Sequence, residues 1–473
     1  MTPVLKLFFI IFIEGYVVLS TELLAIRLLI PFTGSGTDTI SIIVAAVLMP
    51  LAFGYYAGGQ FKTRHHGRHR STIRKKLIRN LLISSVILSA GLSYLFLVWL
   101  IDTFLHFSSF RDRFSLTFIY AVLFLVYPVF LLGQTVPLVS NYFPKDRLPV
   151  MAGRILFVST LGSFMGAVFC TLALMAWIGV HYTAVVTIGC MTVLVMLLSK
   201  KIISREVLAA VGCFIFALVL NSGFLMKSRD IVADNKYHTI AIKDFGQTRT
   251  MMINHNMSSA IHKETGGSTF TYIQYIERTF IDPLLWRPGL PHDILVVGAG
   301  GFTVGITDKK NNYIYIDIDK DMQKIAETYF LEQKLTPNKS FVPVPARAYL
   351  HDLEKKFDLI ILDAFRGPSK TPEHLVTLEF FEQIKKALKP DGVMVANYVV
   401  SASFSDDFSI NLDNTIRFVF KNINRMPLGN YDGWDRRGDW GNILYVYTHH
   451  VDAPENIYTD DKNKSLFDKP VHY

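Results

Sequence analysis

The sequence predicts a polytopic α-helical membrane domain, then a small β-rich segment, then a doubly wound α/β domain. Three observations lead there. Of 473 residues, 51% are hydrophobic and only 18% are charged, against about 25% charged in a typical soluble domain. Seven apolar stretches in the first half approach the length that crosses a bilayer, which takes about 20 residues. The second half holds a short apolar strand, a glycine-rich turn and a second strand ending in a carboxylate.

Composition already excludes an intrinsically disordered chain, a histone-like basic protein and a small disulfide scaffold. The formal charge of +9 divides unevenly. Residues 1–225 hold 18 Lys+Arg and 7 Asp+Glu, whereas 226–473 hold 30 and 32. The basic clusters of the first half lie between apolar runs, as membrane proteins carry them, and form no soluble basic face. The expected partner is therefore a lipid bilayer and not nucleic acid. Cys170, Cys190 and Cys213 fall inside apolar runs, which suits small membrane-core residues better than a disulfide or a zinc site.

The expected spans are 5–29, 38–58, 78–102, 115–138, 155–178, 181–199 and 204–225. The first is too long for a signal peptide and lacks a small-residue cleavage site. Alternate connecting segments hold fourteen Lys+Arg against two, Arg111 and Arg113. The cytoplasmic side carries the excess, so the amino terminus and the loop around 61–77 are expected there. Seven spans then put the soluble half on the far side, and six or eight would bring it back. The tight Ile178-Gly-Val-His181 break makes the count near 155–199 the weak point. Glu14, Glu22 and Arg27 lie within the first span. Ionisable groups in hydrocarbon are paired or functional; Glu22 and Arg27, five apart, share a face only loosely. Gly162-Ser-Phe-Met-Gly166 has the spacing that lets helices approach closely, as do the small residues of Gly54-Tyr-Tyr-Ala-Gly-Gly59.

Past Leu225 the pattern changes. Segment 236–262 alternates polar and apolar residues and reads as short strands and hairpins. A helix is expected over 268–281, with Pro283, Pro288 and Pro291 beyond it. Asp293–Val297 is a buried-strand run followed directly by Gly298-Ala-Gly300-Gly301-Phe-Thr-Val-Gly305. Tyr313–Asp317 is a second strand ending in an acid. A stunted helix between the two strands, a helix at about 320–333 and a strand at about 341–344 complete the unit. Glycines let a backbone turn tightly and approach a ligand, and an acid at the second strand end can accept ribose hydroxyls. The turn reads as a nucleotide or nucleoside site, or else as a plain turn of the fold. Absence of G-x-x-x-x-G-K-[ST] disfavours a P-loop. Phe357–Asp363 is a central strand with a carboxylate at its carboxyl end. A helix over 374–388, a strand from Gly392, a helix over 410–421 and a last strand over 443–448 make the whole Rossmann-like. The expected division is a membrane domain 1–225, a small β-rich segment plus helix 226–290, a Rossmann-like domain 291–450 and a tail 451–473.

These residues resemble the spermidine synthase (polyamine aminopropyltransferase) family, in particular bacterial members fused to a polytopic amino-terminal half. The likeness covers about 230–448. It extends to Glu22-Leu-Leu-Ala-Ile-Arg27, Gly54–Gly59 and Thr160–Gly166 of the membrane half. It implies transfer of an aminopropyl group from decarboxylated S-adenosylmethionine to an amine, in polyamine biosynthesis. No prosthetic group is implied; the adenosyl sulfonium co-substrate is decarboxylated S-adenosylmethionine or S-adenosylmethionine itself. The implied setting is the inner (cytoplasmic) membrane, crossed several times, with a small amine or other acceptor as partner; a homo-oligomer is compatible with this. By this resemblance Gly298, Gly300 and Gly301 line the nucleoside site and Asp317 holds the ribose. Asp363 matches the first carboxylate of the family's Asp-x-x-Asp-Pro loop, the base. Tyr237 and Tyr272 match tyrosines that shape the amine site, with His238 and Gln274 at neighbouring substrate-binding positions.

Asp363 read from its own chemistry could be that base, an orienting group, or a cap of the loop after it. Several positions depart from the family pattern. Arg366 stands where the second loop carboxylate is expected, and a cation there disfavours a diammonium substrate. His238 follows Tyr237 where the family has Gln. Asn254–Ser258 replaces Asp-Gly-x-x-Gln, Gln274 replaces an acid, and Pro345 stands where an acid contacts adenine. Methyl transfer from S-adenosylmethionine is therefore a second expectation. A non-catalytic membrane transporter or sensor with a nucleoside- or polyamine-binding domain is a third. Tyr431–Trp440 reads as a ligand-closing loop or as an exposed turn. His449, His450 and His472 lack metal-site spacing.

Overall fold

The computed structural model describes all residues except 1–2, 34–36, 62–68, 108–112, 144–147, 287, 290, 352, 366–370, 422, 429–439, 448–457, 464 and 466–473. Arg366, the stretch 431–439 and His449, His450 and His472 thus lie outside the described residues. The chain forms two compact units, one of residues 1–229 with 234–236 and Tyr473, the other of 230–233 with 237–472.

The first unit is helical. Its helices are α1 (Pro3–Thr33), α2 (Thr37–Gly59), α3 (His69–Gly91), α4 (Tyr94–Phe107), α5 (Arg113–Ala121), α6 (Tyr127–Gly133), α7 (Thr135–Ser140), α8 (Leu148–Phe169), α9 (Met175–Trp177), α10 (Gly179–Leu198), α11 (Arg205–Leu220) and α12 (Gly223–Lys227). Among the described residues, six helical stretches are long and apolar enough to cross a membrane, from Val4–Thr33 to Arg205–Lys227. The span expected over 78–102 is instead a pair, Thr72–Gly91 and Tyr94–Ile101, bent by 68°. Apolar side chains such as Phe53, Tyr56, Phe157, Phe164 and Trp177 project outward, a surface that suits lipid. This is a multi-pass membrane protein.

Helix directions fix how the bent pair counts. A Cβ on Gly162 would meet the Phe12 carbonyl oxygen at 2.0 Å, and one on Gly166 would meet that of Tyr16 at 2.5 Å. Contacts advance together along both chains, so α1 and α8 run parallel with backbones almost touching. Gly54 against Phe130 and Gly58 against Gln134 make α2 parallel to α6 in the same way. Ser89 to the Cys213 carbonyl and Ser93 to that of Leu220 make α3 parallel to α11. These directions hold together only if α3–α4 crosses. Counting the bent pair as one span, as these directions favour, gives seven candidate spans among the described residues.

Glu22 is not the partner of Arg27. Arg27 Nη2 lies 3.5 Å from Asp234 Oδ1, and its Nε donates to the Asn235 carbonyl at 2.8 Å. Asp234 also lies 3.2 Å from His181 Nδ1. The partner comes from 207 residues away, which helical spacing cannot foretell.

The second unit opens with a four-stranded sheet in the order β1 (Ile231–Asp234), β2 (Thr239–Phe245), β3 (Thr248–Ile253), β4 (Asn256–His262). Asn254 and His255, both with positive φ, make the two-residue turn between β3 and β4. Helix α13 (Thr271–Ile276) continues through wider and tighter turns to Trp286. The main sheet comprises β5 (Asp293–Val297), β6 (Asn312–Asp317), β7 (Lys339–Pro343), β8 (Phe357–Leu362), β9 (Leu388–Ser401), β10 (Ile423–Pro427) and β11 (Trp440–Tyr447), in the order β10-β11-β9-β8-β5-β6-β7. Strands β5 to β9 are parallel; β9–β11 and β11–β10 are antiparallel. Helices α14 (Met322–Ile325, prolonged to Phe330), α15 (Ala346–His351), α16 (Leu378–Ala387) and α17 (Asp407–Phe420) connect them.

Two expectations fail here. Residues 299–311 form turns without a helix between β5 and β6; fourteen connecting residues, four of them glycine, leave too little chain for one. The helix expected over 320–333 ends at Phe330, where Glu332 takes a positive φ. Strand β10 and helix α15 were not expected.

Candidate functional site

The order of the main sheet reverses at β5. The chain steps outward through β6 and β7, then returns to β8 on the other side of β5. Ligands of open α/β sheets sit beyond the carboxyl ends of strands at such a switch point. Here those ends carry Gly298 after β5, Asp317 on β6 and Asp363 after β8. They border a cavity of about 600 Å³.

Gly298 has φ +94°, and a Cβ there would lie 2.3 Å from the Asp363 carbonyl oxygen. Only glycine lets the two loops touch. Gly301 donates its N–H to Ser259 Oγ at 2.8 Å, so strand β4 braces the glycine loop. Asp317 Oδ2 accepts from the Ala299 N–H at 3.1 Å and Oδ1 from that of Asp319 at 3.0 Å. Burial raises its pKa to about 6 against the pull of those donors. Each carboxylate oxygen keeps a further lone pair for a ligand hydroxyl.

Asp363 faces the same cavity. Its Oδ2 accepts from Tyr272 Oη at 2.9 Å and its Oδ1 from Asn397 Nδ2 at 3.0 Å. Burial raises its pKa, and the Asn397 and Tyr272 hydrogen bonds oppose that rise. Two neutral donors thus hold a carboxylate in one orientation, with no ion pair to it among the described residues. The arrangement can orient a hydrogen-bond donor and take its proton.

Among the expected residues, Gly298, Gly300, Asp317, His238, Tyr272 and Asp363 line this cavity. Gly301 lies just behind the lining through Ser259. Tyr237 is not among the lining residues. Gln274 lines a second cavity and donates to the Ser268 carbonyl at 2.8 Å. Arg366 is outside the described residues. Asn397 was missed. Its signal was a lone amide within the apolar run Val393-Met-Val-Ala-Asn-Tyr-Val-Val400 of a central strand. Ser259, Phe270, His374 and Asn442, also in the lining, had no such signal.

The spermine/spermidine synthase domain family matches residues 284–428. A polyamine aminopropyltransferase of Vibrio vulnificus (strain CMCP6) is 34% identical over 156 residues, covering 32% of this chain and 50% of that protein. Polyamine aminopropyltransferase 1 of Aquifex aeolicus (strain VF5) is 28% identical over 158 residues, covering 32% and 54%. The chain spans about half the length of these curated relatives. A probable spermidine synthase from Corynebacterium glutamicum ATCC 13032 superposes with a TM-score of 0.38 at 21% identity, over 45% of this chain and 77% of that one. The carboxy-terminal half thus carries a spermine/spermidine-synthase-like domain, distantly related to the spermidine synthases. It is fused to an amino-terminal bundle of long apolar helices.

Proposed function

We propose that the carboxy-terminal domain binds an adenosyl sulfonium, decarboxylated S-adenosylmethionine, and transfers its aminopropyl group to an amine. The observation that carries this reading is the pair of strand-end carboxylates, Asp317 and Asp363, facing one cavity at the switch point of the sheet. Asp317 accepts the ribose hydroxyls, and the glycine loop admits the nucleoside. The acceptor amine attacks the propyl carbon bonded to sulfur. The carbon–sulfur electron pair leaves with sulfur as a neutral thioether nucleoside, and Asp363 takes the amine proton. A sulfonium is already activated, so this step needs no metal ion.

The acceptor is less cationic than a diamine. Asp317 and Asp363 are the only carboxylates among the described lining residues, and the others include His238, Phe270, Tyr272, His374 and Asn442. With Asp317 committed to ribose, one acid remains, which suits one ammonium better than two. The reading places the protein in the inner membrane as a multi-pass enzyme.

Mass-spectrometric assay of the full-length protein with decarboxylated S-adenosylmethionine and a panel of amines tests this. Expected is release of the thioether nucleoside with a monoamine preferred over putrescine, and its loss in Asp363→Asn with nucleoside binding retained. Full activity of Asp363→Asn removes Asp363 as the base. Strong putrescine turnover refutes the acceptor assignment. Methylated product from intact S-adenosylmethionine replaces the reaction with methyl transfer.

A further inference from the structure

Glu14 on α1 is 1% exposed, and both its carboxylate oxygens are buried without a hydrogen-bond partner among the described residues. Of the cations on its own helix, Lys6 lies eight residues before it, and Arg27, thirteen after it, is engaged with Asp234 and Asn235. Titratable groups on the packed helices mostly look elsewhere. Cys170 beyond α8 and Cys190 on α10 act on Tyr16, His181 on α10 faces Asp234, and Tyr120 on α5 donates to the Gly91 carbonyl. The exception is Tyr55 on α2, which interacts electrostatically with Glu14. Thr21, seven residues on and about two turns along the same face, also has a buried hydroxyl without a partner among the described residues.

An ionised carboxylate in hydrocarbon needs a counter-ion or several donors, and among the described residues Glu14 has no hydrogen-bond partner. Close packing does not require it either. The α1–α8 contact is made by Phe12, Gly15 and Tyr16, and an apolar side chain at 14 would be cheaper to bury. We propose that Glu14 is an exchangeable proton site, which makes the membrane half a proton-linked unit and not only an anchor. The proton resides on the carboxyl while the site is closed and leaves when water reaches it; Thr21 continues the polar face along α1. This inference is independent of the reaction assigned to the other half.

Dicyclohexylcarbodiimide, which modifies protonated carboxyls in apolar surroundings, tests it on the full-length protein in lipid vesicles. Peptide mapping is expected to find the adduct on Glu14, with yield falling as pH rises. Glu14→Gln removes the adduct, Glu14→Asp keeps it, and both retain the thermal midpoint of the parent. In vesicles with an internal pH dye and an imposed potential, the parent is expected to admit protons, and Glu14→Gln only at the rate of empty vesicles. An unmodified Glu14, or an adduct independent of pH, overturns the proposal. So does proton entry in Glu14→Gln equal to the parent, or none in the parent. If Glu14→Gln fails to fold, Glu14→Asp with wild-type labelling and slowed entry supports the proposal, and its unchanged entry overturns it.

Discussion

At Asp317 burial and hydrogen bonding oppose each other, and burial wins, lifting its pKa from 3.8 to about 6. Across that window the folded domain holds a proton that the unfolded chain has released. Its contribution to stability is therefore present in acid and lost as pH rises through about 6. Ligand binding runs the other way, because ribose hydroxyls donate to the ionised form. Calorimetry on the full-length protein is expected to give affinity for an adenosyl ligand about tenfold lower at pH 5 than at pH 7. Asp317→Asn should flatten that dependence, and Asp317→Ala should cost about 1–3 kcal/mol of binding. Unchanged affinity in a folded Asp317→Ala protein would take Asp317 out of the site. Asn397 allows a separate test of Asp363. Its amide favours the ionised carboxylate, so Asn397→Leu should raise the Asp363 pKa further. A base acts only when ionised, so the acid limb of kcat against pH should move to higher pH. An unmoved limb, with turnover retained, means that Asp363 does not set it.

Elements were legible where one residue pattern has one physical cause. Apolar runs closed by a glycine turn or an acid, as in Asp293–Val297 and Phe357–Asp363, gave β5 and β8, and their ends located the cavity. Strand β10, Ile-Asn-Arg-Met-Pro, is a polar edge strand ending in proline, and its pairing with β11 is a tertiary fact. The missing helix after the glycine loop was hidden because glycine spacing alone does not tell a turn from a helix start. The pairing of Tyr272 and Asn397 on Asp363 joins residues 91 and 34 apart from it in sequence, beyond any local pattern. Gly162 and Gly166, by contrast, read correctly as a close-packing pair because the spacing itself implies one helix face. That contact yields a prediction for α1 and α8. Gly162→Val puts methyl groups onto the Phe12 carbonyl, and overpacking of this kind costs about 1–3 kcal/mol. The thermal midpoint of the solubilised protein should fall, while Gly153→Val, where a Cβ meets nothing within 4 Å, should leave it unchanged. Equal midpoints for both variants would mean that the α1–α8 approach is looser than described.

For the molecule as a whole, direction is the decisive property. Three parallel helix pairs require the bent α3–α4 segment to cross, so the chain leaves its last span on the face opposite its start. Fourteen Lys+Arg on alternate connections against two on the others predict that start in the cytoplasm. Together they predict that the chain continues past α11 on the non-cytoplasmic face. Aminopropyl transfer on that face requires a route for the donor, and a proton-linked membrane half is one physical means of driving a cation across. Single cysteines in a chain with Cys170, Cys190 and Cys213 replaced decide the sidedness. An impermeant thiol reagent added to intact cells is expected to label Gln247→Cys, in the exposed β2–β3 turn, and to spare Lys75→Cys until the membrane is opened. Labelling of Lys75→Cys from outside inverts the orientation. Protection of both positions in intact cells means an even number of crossings, with α3–α4 turning back within the membrane. The parallel pairing of α1 with α8 and of α2 with α6 would then be wrong. The donor would reach the domain directly, and the catalytic reading would no longer need a route through the membrane.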